Sequence, residues 1–254
     1  MKRVTTEREA TEATPDLDEP PVRTHRWGFG AFLVVYAVFV LSAVLIAALV
    51  GTVAPDAVSS GTVVMLGTML PTVLATLTAL LVTKVRGNGP KRDLRWSFTR
   101  SDVRAGFRFG VLGLVCTTAA AVLWTNFVGE ENASSAVGRL VENDRMPLAA
   151  AIIMFLFVWL VAPVCEEIIY RGLLWGALER LKWGRWAVFT LTTVIFAISH
   201  LEPLRTSLLL VIGIPIGLAR LFTGRLGASV VAHQINNFLP ALAVLLVAVG
   251  AMPA

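Results

Sequence analysis

Long apolar runs separated by short polar and basic connections dominate the chain after residue 26. The runs cover residues 29–53, 62–82, 106–128, 147–164, 186–200, 207–221 and 228–252. A helix rises 1.5 Å per residue, so about 20 apolar residues cross the hydrocarbon core of a bilayer. The first three runs and the last reach that length, whereas the fifth and sixth are short. The pattern predicts an all-α fold, a polytopic transmembrane helix bundle of about seven to eight membrane helices. Composition agrees: of 254 residues 56% are hydrophobic and 15% charged, with a mean hydropathy of +0.73. A soluble domain carries about 25% charged residues.

Residues 1–26, with "TEREATEATPDLDEPP", are polar, mixed in charge and without hydrophobic periodicity, which predicts a disordered cytoplasmic tail. A cleaved signal peptide is not expected, because its apolar region is about 7–15 residues and the first run is longer. Three regions follow: the tail at 1–26, a three-helix membrane region at 27–146, and a membrane core at 147–254 whose four helices hold the candidate chemistry.

The net charge of +5 and pI near 9.8 raise the question of a nucleic-acid partner. The basic residues lie in short connections and form no continuous face, so none is expected; lipid is the partner this distribution suits. Lys2, Arg3, Arg8, Arg23 and Arg26 lie in the tail. Lys84, Arg86, Lys91, Arg92, Arg95, Arg100, Arg104 and Arg108 lie in or beside the second connection. Arg180, Lys182 and Arg185 follow the fourth run, and Arg220 and Arg225 follow the sixth. The opposite side holds Arg139, Arg145 and Arg205. This bias predicts a plasma-membrane protein with a cytoplasmic amino terminus and an external carboxyl terminus. No repeat relates the two halves, which disfavours a transporter.

Polar side chains inside the apolar runs cluster at three places. Glu166, Glu167 and Arg171 lie in "PVCEEIIYRGLL"; Glu167 and Arg171 are four apart and share a helix face, while Glu166 points about 100° away. Phe196 and His200 lie in "FAISH", and His233 and Asn237 in "HQINN", each pair again four apart. Each has a plain structural reading as well: an ion pair, a packing ring, hydrogen bonds between helices. Their concentration on three helices favours function, because ionisable groups are costly in lipid. A carboxylate with an imidazole can activate water, and an imidazole with a carboxamide can stabilise an oxyanion. Neither His has a neighbouring Ser or Cys nucleophile, and HExxH is absent. Cys116 and Cys165 sit in apolar runs and are expected to pack rather than pair or bind metal.

The ordered set EExxxR, FxxxH and HxxxN over residues 147–245 resembles the CPBP intramembrane proteases, which include type II CAAX prenyl endopeptidases and bacteriocin-processing proteins. The resemblance implies a membrane-embedded endopeptidase of glutamate type acting on a membrane-associated protein or peptide. It implies that Glu166 and His200 activate the attacking water and that His233 and Asn237 hold the oxyanion. Glu167, Arg171 and Phe196 would order these groups from behind. No cofactor is expected, although an older reading of the family makes Glu166, His200 and His233 zinc ligands. A non-catalytic immunity or scaffold protein of the same fold is the alternative.

The spans pose one geometric problem. If the fourth ends near residue 164, Glu166 lies at its cytoplasmic end and His200 toward the outer end of the next. The two meet only if the fifth and sixth helices stop inside the protein, with Pro163 bending the fourth. A cavity open toward the cytoplasmic half is the corresponding expectation. Cysteine-accessibility scanning tests the orientation: the 84–104 connection should be protected from external reagents in intact cells, and labelling there would reverse the topology.

Overall fold

The computed structural model describes residues 24–54, 61–129 and 146–252. Most of the expected tail, and Arg139 and Arg145, lie outside them. The described residues form seven long helices: α1 Phe29–Val53, α2 Gly61–Arg86, α3 Arg100–Val128, α4 Leu148–Arg180, α5 Arg185–Ser199, α6 Thr206–Thr223 and α7 Leu226–Ala248. No strand occurs among these residues. Six spans are long and apolar enough to cross a membrane, while α5 is a shorter apolar helix. The chain is a multi-pass, all-α membrane protein.

Two helices differ from expectation. The fourth continues to Arg180, making a span of 33 residues, because Arg171 is fully buried and paired rather than exposed at a membrane face. The sixth is not short: the 3-10 turn Pro203–Arg205 leads into it and the span reaches 21 residues. Arg220 therefore belongs inside α6, only 2% exposed, and not in the connection after it.

The longer α4 resolves the geometric problem. Residues Leu181 to Gly184 turn the chain from α4 into α5. Glu166 lies fourteen residues before Arg180, and His200 lies fifteen after Arg185. At 1.5 Å per residue they lie about 21 and 23 Å from the turn along their own arms. Antiparallel arms of nearly equal length bring the two to about the same level. Leu201, with φ of +55°, ends α5 directly after His200.

One buried cluster joins Trp27 and the inward faces of α1 and α2 to α4, through residues such as Val35, Ala75, Ile169 and Leu173. The residues just before α1 are held in place. Arg180 donates to the carbonyls of His25 and Trp27, and the Trp27 indole donates to Asp93 at 3.1 Å. The other faces of α1, α2 and α3 expose Leu45, Leu81, Leu123 and similar side chains, as lipid-facing helices do.

A glycine stripe seats α3 against the core. Gly106, Gly110 and Gly113 are buried on one face of α3. A Cβ on Gly106 would come within 2.6 Å of the Ala228 carbonyl, and one on Gly110 within 2.8 Å of Ile235. Small residues let membrane helices approach closely where no hydrophobic force drives them together. Gly110→Ala should lower stability in detergent by about 1–3 kcal/mol, the usual cost of overpacking. Val115→Ile, on the exposed face of the same helix, should leave the unfolding midpoint unchanged.

Candidate active site

The site is built around a charge in the core. Glu167 and Arg171 lie one turn apart on α4 with no exposed side-chain surface, and Arg171 Nη1 donates to Glu167 Oε1 at 2.9 Å. A second Arg171 nitrogen donates to the Gly213 carbonyl of α6 at 3.3 Å, and the guanidinium lies 4.5 Å from the Phe196 ring centre. Arg220 closes this shell from α6: its Nε donates to the Arg171 carbonyl at 3.0 Å, and its guanidinium lies over Trp175. Breaking one partner of such a buried pair costs about 3–5 kcal/mol, because the other charge is left unpaired.

Glu167 also orients His233. Its Oε1 lies 2.9 Å from His233 Nδ1, and a carboxylate only accepts, so Nδ1 carries the proton. His233 Nε2 then faces Glu166 Oε2 at 3.6 Å. His200 is fixed in a parallel way. Its Nδ1 lies 2.8 Å from the Phe196 carbonyl, which makes it the donor and leaves Nε2 with a lone pair. The Phe196 ring stands edge-on to His200, His233 and Tyr170, with centroids 4.7, 5.7 and 5.4 Å away. One buried ring thus spaces both imidazoles.

Glu166, Phe196, His200, His233 and Asn237 line one cavity of about 260 Å³. Glu166 is partly exposed to it, while Glu167 is sealed behind. The lining extends to Met154 and Phe157 of α4, to Glu202 and Arg205 before α6, and to Pro240 and Val244 of α7. The Met146 amide bonds the Ala248 carbonyl at that end, far from the α4–α5 turn. The cavity therefore lies toward this end of the bundle and away from the α4–α5 turn. Glu202 and Arg205 pair at 2.8 Å on its rim; a three-residue spacing in a short polar connection gave no sign that they would face the site.

The backbone of α4 explains the place of Asn237. Residues Phe157–Val161 run in π-helical register, with the Ala162 amide bonding the Phe157 carbonyl five residues back. In that register Val158 would receive its bond from residue 163. Pro163 has no N–H, so the Val158 carbonyl lacks its helical donor. Asn237 Nδ2 supplies one at 3.1 Å, and Gln234 Nε2 bonds the nearby Leu160 carbonyl at 3.1 Å. The amide of Asn237 keeps a second N–H for the cavity. Proline here does more than bend the helix.

Among the described residues, no group of three His, Cys, Asp or Glu side chains is arranged to hold a metal ion. Glu167 and the Phe196 carbonyl engage Nδ1 of each imidazole, so Nε2 is the nitrogen not taken up by these two bonds. Cys165 is a buried packing residue of α4.

The Pro163–Val158–Asn237 relation can be measured by unfolding in detergent. Asn237→Ala strands the Val158 carbonyl and should cost about 1–3 kcal/mol. In a Pro163→Ala background residue 163 regains an N–H, and the same truncation should cost less than about 1 kcal/mol. Equal losses in the two backgrounds would break the link.

Comparison with known proteins bears on this arrangement. Residues 148–239 match the family model described as type II CAAX prenyl endopeptidase Rce1-like. No curated protein and no solved structure matches the chain. The matched stretch begins with α4 and runs into α7, taking in both glutamates, both imidazoles, Arg171, Phe196 and Asn237. Over these residues the chain is similar to the Rce1-like type II CAAX prenyl endopeptidases, which supports the resemblance to the CPBP intramembrane proteases.

Proposed function

We propose that the protein is a glutamate-type endopeptidase that hydrolyses a peptide bond of a membrane-associated protein or peptide, within or beside the bilayer. The observation that carries this reading is that Glu166, His200, His233 and Asn237 line one cavity, with each imidazole held by a separate partner.

The step needs one water and no covalent enzyme intermediate. Glu166 takes a proton from the water, while the lone pair of His200 Nε2 accepts its second hydrogen as a hydrogen bond and so aims the oxygen. The new C–O bond forms as the carbonyl π pair moves onto oxygen. That oxyanion takes hydrogen bonds from the free N–H of Asn237 and from His233 Nε2, a role that requires the doubly protonated ring. Glu167 accepts from Nδ1 and so orients the ring. On collapse the C–N bond breaks, its electron pair goes to nitrogen, and the amine takes its proton from Glu166. One carboxylic acid and one amine leave, and Glu166 is ionised again. Each oxyanion donor of this kind is worth about 10²–10³ in rate.

The charge bias supports a plasma-membrane location with the amino terminus inside. No cofactor enters the proposed step.

Glu166→Gln keeps the shape and removes the base, so turnover should fall by roughly 10²–10⁴ with normal expression. Proteomics of membrane peptides should find new termini in wild-type cells that are missing from the Glu166→Gln strain. Identical termini in the two would favour a non-catalytic scaffold of the same fold. Purified enzyme should keep its activity after exhaustive chelation. Activity that follows zinc content, at one zinc per chain, would overturn the metal-free step.

A further inference from the structure

A polar cavity of about 270 Å³ lies where α1 begins and α2 ends, at the same end of the bundle as the α4–α5 turn. Its lining is Thr24 and Arg26 from the segment before α1, with Arg86, Gly87 and Asn88 from the end of α2. No residue of the proposed hydrolysis reaches it. A water occupies about 10–15 Å³ in this measure, so the space holds a group far larger than one solvent molecule.

We infer that this cavity binds a phosphate group, and that its occupant is the headgroup of an anionic phospholipid. Charge carries the first half. Among the described residues, no ion pair or side-chain hydrogen bond engages the guanidinium of Arg26 or Arg86. Asp93 packs behind Gly87, where a Cβ would come within 1.8 Å of its Oδ2, but its oxygens serve other donors. Oδ2 accepts from the Trp27 indole at 3.1 Å and from the Asn88 amide at 2.9 Å, and Oδ1 accepts from Asn88 Nδ2 at 2.9 Å. Two cations thus line one cavity without a counter-ion directed at them. Each guanidinium is a planar fork that suits the oxygens of a phosphate.

The backbone fixes the spacing of the two arginines. The Arg26 amide donates to the Arg86 carbonyl at 2.7 Å, and the Gly89 amide to the Thr83 carbonyl at 3.1 Å. Trp27 is only 1% exposed, and Arg180 holds the carbonyls on either side of Arg26, those of His25 and Trp27. A site ordered before binding avoids the cost of ordering it.

Hydrocarbon carries the second half. Phe29 stands three residues after Arg26, and Val85 directly precedes Arg86; both are exposed, as are Leu33 and Leu81 one turn further in. A phosphate held by the arginines therefore lies where the apolar faces of α1 and α2 begin, as a headgroup lies above its acyl chains. Basic pockets between membrane helices bind anionic headgroups in this way. A free phosphate would gain nothing from those faces. Because Arg180 ends α4, a lipid clamped here braces α1 and α2 against the helix that carries the glutamates.

The test uses the purified full-length chain in neutral detergent, with binding read by native mass spectrometry and by the unfolding midpoint. Dioctanoyl phosphatidylglycerol should bind at one per chain and raise the midpoint saturably. Dioctanoyl phosphatidylcholine, whose headgroup carries its own cation, and inorganic phosphate at equal concentration should do neither. Arg26→Gln with Arg86→Gln should weaken phosphatidylglycerol binding by roughly 25-fold, about a factor of five for each cation. Arg100→Gln with Arg104→Gln removes the same charge from exposed positions in the first two turns of α3 and should leave the affinity unchanged. Either single variant serves if the first double variant does not fold, because the backbone bond between residues 26 and 86 survives each substitution. Equal weakening by both double variants would reduce the effect to general surface charge and overturn the site. Stabilisation by inorganic phosphate that Arg26→Gln abolishes would overturn the lipid as occupant. Equal binding of the two lipids, or of neither, would overturn both halves. No step of this measurement needs peptidase activity, so its outcome is separate from that of the hydrolysis.

Discussion

A buried ion pair organises this membrane core. Glu167 and Arg171 have no solvent to share, so every neighbour must contribute to keeping them charged. Phe196 offers its ring face, Gly213 its carbonyl and His233 its N–H, drawing α5, α6 and α7 to one point on α4. Burying charge is expensive unless each one is paired and hydrogen-bonded. The compensation here is also the positioning device. The carboxylate that neutralises Arg171 also holds His233 through its Nδ1–H, and the ring beneath the guanidinium spaces the two imidazoles.

The second constraint lies in the backbone. Irregular helix is tolerated in a membrane where polar side chains or a cavity satisfy the freed groups. α4 departs from α-helical register at Phe157–Val161 and again at Ile168–Leu174, on either side of the glutamates. Such π segments occur often at functional sites. The first leaves carbonyls that Asn237 and Gln234 satisfy, so two residues of one α7 motif are anchored to irregular backbone on α4. The hydrogen bond that repairs the helix also holds a carboxamide at the cavity wall.

Much of this was legible in the sequence, and particular residues show where it stopped. The apolar runs placed α1 to within a residue, because a lipid-facing helix is defined by length and hydropathy alone. The four-residue spacings put Glu167 beside Arg171, since a helix fixes that neighbourhood locally. The end of α4 was not legible. "IIYRGLLWGALER" reads as a polar exit from the bilayer until Arg171 is known to be buried, and that depends on three other helices. Arg220 misled in the same way, counting as a connection charge although it lies within α6. The bond between Asn237 and Val158 was beyond reach, because register is a property of the backbone. Val35 and Ala75 were equally silent: an apolar side chain facing lipid and one facing the core look alike in a hydropathy pattern.

The α4–α5 hairpin turns distance along the chain into a measuring device. Glu166 and His200 line the same cavity only because both arms are counted from the same four-residue turn. One residue added between Arg171 and Arg180 would rotate the glutamates by about 100° relative to the turn and lift them by about 1.5 Å. The base would then leave the cavity with all of its motif letters intact. For this hairpin, the intervals between motifs carry as much of the chemistry as the letters do. Descendants of this chain are free to vary the length of the turn, but not of the arms.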